Sequence, residues 1–280
     1  LPNYYLILII NIILAKHALI GGNIEHFNYK FFLFIQNFSE PFVGFFWESW
    51  SLSIEEWFYI FLPLALILSL KLFPSKKGIL LAIIILILAP LVYRVMHSSE
   101  NVNFFWWDVK FRKVILMRLD TIIFGVLAAY IKFYHLQIWK KYAVFSFIIG
   151  MILIISISYL PIEINDFFTK TFYFSLISFA AMLLLPYADS MKSFSTFFGK
   201  IITHISLISY SMYLVNLSLV SSIIRINFPV SDPMNGLLKY FLYWFIVISI
   251  STLLYLFFEK PMMNLRDKNI FTRKKSIRQL

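Results

Sequence analysis

Not one of the 280 residues is cysteine. The chain therefore has no disulfide framework, no thiolate metal site and no catalytic thiol. Charge is scarce as well: 14% of residues are Asp, Glu, Lys or Arg, where soluble globular domains carry about a quarter. Glycine occurs only 8 times. That leaves no glycine-rich phosphate loop and little material for the paired broken helices of many transporters. Acids are the scarcer sign, 14 against 25 bases, for a net charge of +11. What fills the chain instead is apolar: 60% of residues are hydrophobic, and Phe alone occurs 32 times. A water-soluble fold of this size cannot hide that much apolar surface, whereas a bilayer accommodates it.

A membrane-spanning helix needs about 20 mostly apolar residues. Eight runs qualify, at 3–20, 54–73, 78–97, 113–134, 142–160, 170–188, 204–225 and 236–258. No sustained alternation of period two points to a barrel, and no repeat of fixed period is present. The expected fold is all-α, a polytopic transmembrane bundle of about eight spanning helices over 1–258. A basic tail over 259–280 follows it.

The connections sort by charge. Lys71, Lys76 and Lys77, then Lys132, Lys140 and Lys141, then Lys192 and Lys200 mark three basic connections. The tail adds Lys260, Arg266, Lys268, Arg273, Lys274, Lys275 and Arg278. These alternate with 21–53, 98–112, 161–169 and 226–235, which are less basic or hold offsetting acids. The positive-inside rule then puts the basic group and the C-terminus in the cytoplasm. The tail reads as a juxtamembrane anchor on lipid headgroups, with no nucleic-acid partner. The chain opens on Leu1, and no basic stretch precedes the first apolar run, so no signal-peptide pattern is expected in it and the chain is expected to be a fragment or a processed form.

Ionisable groups inside a bilayer cost several kcal/mol and are functional candidates by default. Two carboxylates, Glu55 and Glu56, sit where an outer loop enters the second apolar run. Ser53 with Glu56 has the spacing of a capping box, which explains Glu56 without function. Glu55 points about 100° away around the helix. It either faces headgroups or meets a partner, and a partnered carboxylate in a dry site can do acid–base work. Arg118 and Asp120 lie in the fourth run, two apart, so they do not face each other. A Glu55–Arg118 contact is the expected pairing, against snorkelling of Arg118 to the interface. Asp120 is short and is expected to be buried and paired. Tyr213 and Asn216 share a helix face. They read as site groups or as polar packing between helices. Trp47, Trp50, Trp57, Trp106 and Trp107 gather at outer positions, as an interfacial belt or as stacking faces for sugar rings. His17, His26, His97, His135 and His204 show no metal-pair spacing, so no metal is expected. No nucleophile elbow or His-Glu-x-x-His motif exists either.

The stretch Trp50-Ser51-Leu52-Ser53-Ile54-Glu55-Glu56-Trp57-Phe58-Tyr59 resembles the signature of the membrane-bound acyltransferase family 3. That family holds the bacterial O-acetyltransferases of polysaccharide and O-antigen. Arg118-Leu119-Asp120 followed by Gly125 and Ala128, Ile208 to Leu214, and Phe258-Glu259-Lys260-Pro261 resemble further family motifs in the family's order. Leu1 to Tyr5 resembles the stretch after its cytoplasmic Arg-x-x-Arg.

The resemblance implies transfer of an acyl group, usually acetyl, from cytoplasmic acyl-CoA to a glycan hydroxyl beyond the membrane. Acyl-CoA is then a substrate, no cofactor is bound, and the partners are lipid, acyl-CoA and the glycan. The implied location is the bacterial inner membrane. Glu55 is the implied catalytic carboxylate, with Arg118, Asp120, Tyr213 and Asn216 in support. Trp50, Ser51, Tyr59, Trp106 and Trp107 are implied at the acceptor. The family's Arg-x10-His helix has no counterpart here, since no His lies eleven after an Arg. Two family helices are therefore expected to be missing before Leu1. Asn216 stands where relatives often hold His, which removes a proton shuttle there. An inactive remnant and a flippase for a lipid-linked glycan are the rival readings.

Overall fold

A computed structural model of the chain describes residues 1–42, 44–160, 162–191, 197–227 and 233–265. The side chains of 233–235 fall outside that description. So do most of the basic tail, residues 266–280, and Lys192 of the third basic connection.

Among the described residues all regular structure is helical. The principal helices are α1 (Pro2–Lys16), α2 (Ser49–Leu72), α3 (Lys76–Met96), α4 (Asp120–Tyr134), α5 (Ala143–Tyr159), α6 (Tyr173–Ser190), α7 (Phe197–Asn227) and α8 (Gly236–Leu265). Five of them, α2, α3, α6, α7 and α8, are long and apolar enough to cross a membrane, and α1 and α5 are shorter apolar helices. Leu64, Ile67 and Leu68 on α2, Ile148 and Ile152 on α5, and Phe241 and Phe245 on α8 are exposed. Lipid tails, not water, suit such faces.

The chain divides into two units. One comprises Leu1–Phe32, Gly44–Ser49 and everything from Ser193 on. Within it α7 packs on both α1 and α8. The other comprises Leu33–Val43 and Trp50–Lys192. Within it α3 packs on α4, α4 on α6 and α6 on α5. Ile54 and Phe58 of α2, Ile83 and Leu86 of α3, and Ile115, Leu119 and Ile123 form its main apolar cluster.

Two sequence expectations about helix starts need correction. α2 begins at Ser49, not Ile54, so Ser53 lies inside the first turns and is no cap. Its hydroxyl instead accepts from Gln36 Nε2 at 2.6 Å, and the Ser53–Glu56 capping box does not form. The fourth helix begins at Asp120, not 113, because Ile115–Met117 is a 3-10 turn and Trp107–Arg112 a π turn. Asn37 holds this irregular stretch. Its carbonyl accepts from Ile115 N–H at 2.9 Å, and its side-chain amide donates to Lys113 O and, at 3.1 Å, to Trp50 O. Apolar composition alone cannot distinguish such a pinned turn from the first turn of a helix.

Candidate functional site

Among the described residues each unit buries a carboxylate in a polar centre. In the unit built on α3, α4 and α6, Arg94 and Asp120 are both 0% exposed and paired. Arg94 Nη1 and Nη2 donate to Asp120 Oδ1 at 3.0 Å and Oδ2 at 2.8 Å. Arg94 Nε donates to Thr171 O at 2.7 Å, Nη2 to Ser175 Oγ at 2.6 Å and Nη1 to Met117 O. Ser175 in turn donates to Asp120 Oδ2. Such a fork-on-fork pair fixes both planes, and here it ties three helices together. Asp120 is thus buried and paired, as its short side chain suggested. Its partner Arg94 sat in plain view inside the third apolar run.

Arg118, two residues before that centre, goes elsewhere. It ends the 3-10 turn, and its guanidinium carbon lies 4.3 Å from the centroid of the Phe174 ring. Glu55 is exposed on α2, and among the described residues it makes no side-chain hydrogen bond or ion pair. The expected Glu55–Arg118 contact is therefore not formed: Arg118 turns to an aromatic face and Glu55 stays unpaired.

The aromatic candidates divide by exposure. Tyr59 and Trp106 are exposed. Trp50 is half-buried beneath Arg112, whose guanidinium lies 5.8 Å from its ring centroid, and Ser51 is half-buried beside it. Trp107 is 4% exposed and stacked on Phe174 at 5.4 Å. It packs the interior and presents no face to a sugar, a correction to its reading as an acceptor residue.

The second polar centre belongs to the unit built on α1, α7 and α8. Sequence reasoning missed it. Glu48 is 1% exposed, in the turn just before α2. Its Oε1 accepts from Leu217 N–H at 2.8 Å and Ser218 N–H at 2.7 Å, and its Oε2 from the Ser218 hydroxyl. Trp47 N–H donates to that same Ser218 hydroxyl at 3.2 Å. Leu217 and Ser218 belong to a π turn, Asn216–Ser221, where α7 departs from its i to i−4 ladder. Burial pushes the Glu48 carboxyl above the usual carboxylate range, and the hydrogen bonds from Ser218 and Leu217 oppose that rise.

Tyr213 and Asn216, singled out from the sequence, flank this break. Tyr213 donates its hydroxyl to Glu48 O at 2.9 Å. The Asn216 amide turns back to Met212 O at 3.2 Å and Tyr213 O at 3.0 Å, covering carbonyls of the preceding turn. Lower on α7, Ser211 donates to Glu259 Oε2 at 2.8 Å, and Asn3 of α1 donates to both, at 3.2 and 2.8 Å. That contact joins the Ile208–Leu214 motif to the Phe258–Pro261 motif. Glu48 itself is visible in the sequence as an acid two residues before Trp50, but the helix break that receives its carboxylate is not.

No curated protein and no solved structure matches the chain. The acyltransferase domain of the acyltransferase 3 family does, over residues 4–256. The match takes in both polar centres, the Trp50–Tyr59 signature and seven of the eight helices whole or nearly so. The chain belongs to the acyltransferase 3 family of membrane acyltransferases.

Proposed function

We propose that the chain takes part in moving an acyl group, acetyl first among the candidates, from cytoplasmic acyl-CoA to a hydroxyl of a cell-surface glycan. The observation that carries this reading is the family match over 4–256 on a chain with five helices long and apolar enough to cross a membrane. In the reaction the thioester C–S bond breaks and an ester C–O bond forms. The hydroxyl proton ends on the CoA thiol. The reading needs no bound cofactor, because acyl-CoA is a substrate.

Glu55 is the residue assigned to the acceptor hydroxyl. It lies within the most specific motif of the chain, and its carboxylate is unpaired among the described residues, hence available to a ligand. Trp50, Tyr59 and Trp106 offer rings for a sugar, with Ser51 next to Trp50 in the chain. Arg118, Asp120, Tyr213 and Asn216 act in support, Asp120 through Arg94 and Tyr213 through Glu48. The assigned location is a bacterial inner membrane with the C-terminus in the cytoplasm. The basic connections there favour approach of the CoA phosphates.

The test uses membranes carrying the chain, acetyl-CoA labelled in the acetyl group and a polysaccharide fraction as acceptor. Label is expected to pass into polysaccharide. Glu55→Gln is expected to cut that transfer by roughly 10²-fold or more while membrane insertion stays unchanged. Transfer at the unsubstituted rate would remove Glu55 from the mechanism. Label that stays in CoA with the unsubstituted chain would overturn catalysis by this chain.

A further inference from the structure

Among the described residues Arg118 has no hydrogen-bond or ion-pair partner, although other charged groups act on it. Its Nε is buried and bonded to nothing. Among the described residues no carboxylate or carbonyl accepts from Nη1 or Nη2 either, and neither of these two nitrogens is sealed from the surface. The nearest carboxylate is already spent: both oxygens of Asp120 are taken by Arg94, with Ser175 adding a third donor. Arg112 is satisfied too, by Asp108 at 2.9 Å. Arg94, Arg112 and Asp120 all stand close enough for their charges to act on Arg118. Of these, Arg94 and Arg112 are cations and Asp120 is the carboxylate, so with Arg118 itself three cations meet one carboxylate.

A half-buried guanidinium without a counterion is costly, and in a membrane protein it marks a ligand path by default. Contact with Phe174 at 4.3 Å holds the plane in one place. A fixed guanidinium edge with free N–H groups matches two oxygens of a single oxyanion, and a neutral sugar hydroxyl supplies far less.

We propose that Arg118 is an anion-binding subsite that takes a carboxylate or phosphate group of a ligand, its free N–H edge meeting two of the anion's oxygens. The shared chemistry is a planar pair of oxyanion oxygens. An acidic sugar supplies it as a carboxylate, and a lipid-linked or nucleotide headgroup supplies it as phosphate. Acyl transfer is not needed for this reading, and a binding measurement tests it apart from the proposed activity.

The probes are sodium glucuronate and inorganic phosphate, titrated separately into the purified chain in detergent at fixed ionic strength. Saturable binding of at least one is expected, weakened tenfold or more in Arg118→Met. Met keeps an apolar, polarisable contact with Phe174, so its thermal midpoint is expected to hold. Arg118→Lys is the second variant, for the case that Met does not fold. It keeps the charge and loses the fork, and is also expected to bind at least tenfold more weakly. Glucuronate alone would identify an acidic sugar, and phosphate alone a phosphorylated ligand. Absence of saturable binding to either probe would overturn the subsite. So would unchanged binding in both variants, which would mark diffuse attraction to a basic chain.

Discussion

At the residue scale, the Arg94–Asp120 pair shows how a buried charge is retained. Every donor of the Arg94 fork used in the fold has an acceptor, and each Asp120 oxygen has at least one donor. Removing one partner strands the other as an uncompensated buried charge, at about 3–5 kcal/mol. Asp120→Asn is therefore expected to lower the thermal midpoint in detergent by on the order of 10 °C. Replacing both partners with apolar residues of similar volume, Arg94→Met with Asp120→Leu, removes the charges together and is expected to recover most of that loss. A double variant no more stable than the single one would show that the pair acts through its hydrogen bonds to Met117, Thr171 and Ser175. Asp120 was legible from the sequence because a short acid in an apolar run cannot snorkel. Arg94 was equally ionisable and equally deep, but it stands at the end of the run 78–97, where a long side chain can be assigned to the interface without a partner. Glu48 was hidden for another reason. The helix break that receives its carboxylate leaves no mark in composition, since Asn216–Ser221 reads as continuous helix by its apolar spacing.

At the element scale, helix existence was legible and helix ends were not. Apolar runs mark where a chain can shed water, so all eight expected spans contain a helix. Their ends depend on single polar contacts from distant residues, such as Asn37 on Lys113 and Ile115, which no local pattern encodes. Helix pairing adds a constraint that two glycines separate. A Cβ on Gly150 of α5 would come 2.9 Å from the Ala180 carbonyl oxygen of α6 and 3.1 Å from Leu183 Cβ. Close approach of this kind is how membrane helices associate without a hydrophobic drive between them. Gly125 of α4 lies within the motif shared with the family, yet a Cβ there would meet nothing within 4 Å. Gly150→Leu is therefore expected to force α5 and α6 apart and lower the folded yield severalfold by size-exclusion chromatography. Gly125→Leu is expected to leave the yield within error of the unsubstituted chain. Equal yields for the two variants would mean that α5 and α6 tolerate wider packing than the structure shows.

At the scale of the whole molecule, the lack of cysteine becomes an instrument. Any single introduced cysteine is the sole thiol of the chain, and a membrane-impermeant maleimide then reports its side of the bilayer without background. α3 is the sharpest place to ask. Its 21 residues extend about 31 Å at 1.5 Å per residue, close to the ~30 Å of a hydrocarbon core. Its ends carry opposite signals: Lys71 before it and Lys76 and Lys77 in its first turn, and Glu100 with exposed Asn101 after it. On the positive-inside rule the lysine end is the one expected in the cytoplasm. Lys77→Cys is accordingly expected to react only after the membrane is opened, and Asn101→Cys in intact cells. Labelling of both from outside would place the two ends of α3 on one side and remove it from the spanning set. Labelling with the sides exchanged would keep α3 as a span but invert the topology. Glu55 and Arg118 would then face the compartment that holds acyl-CoA instead of the one assigned to the glycan, and the acceptor and donor roles proposed for the two ends of the unit would have to be exchanged with them.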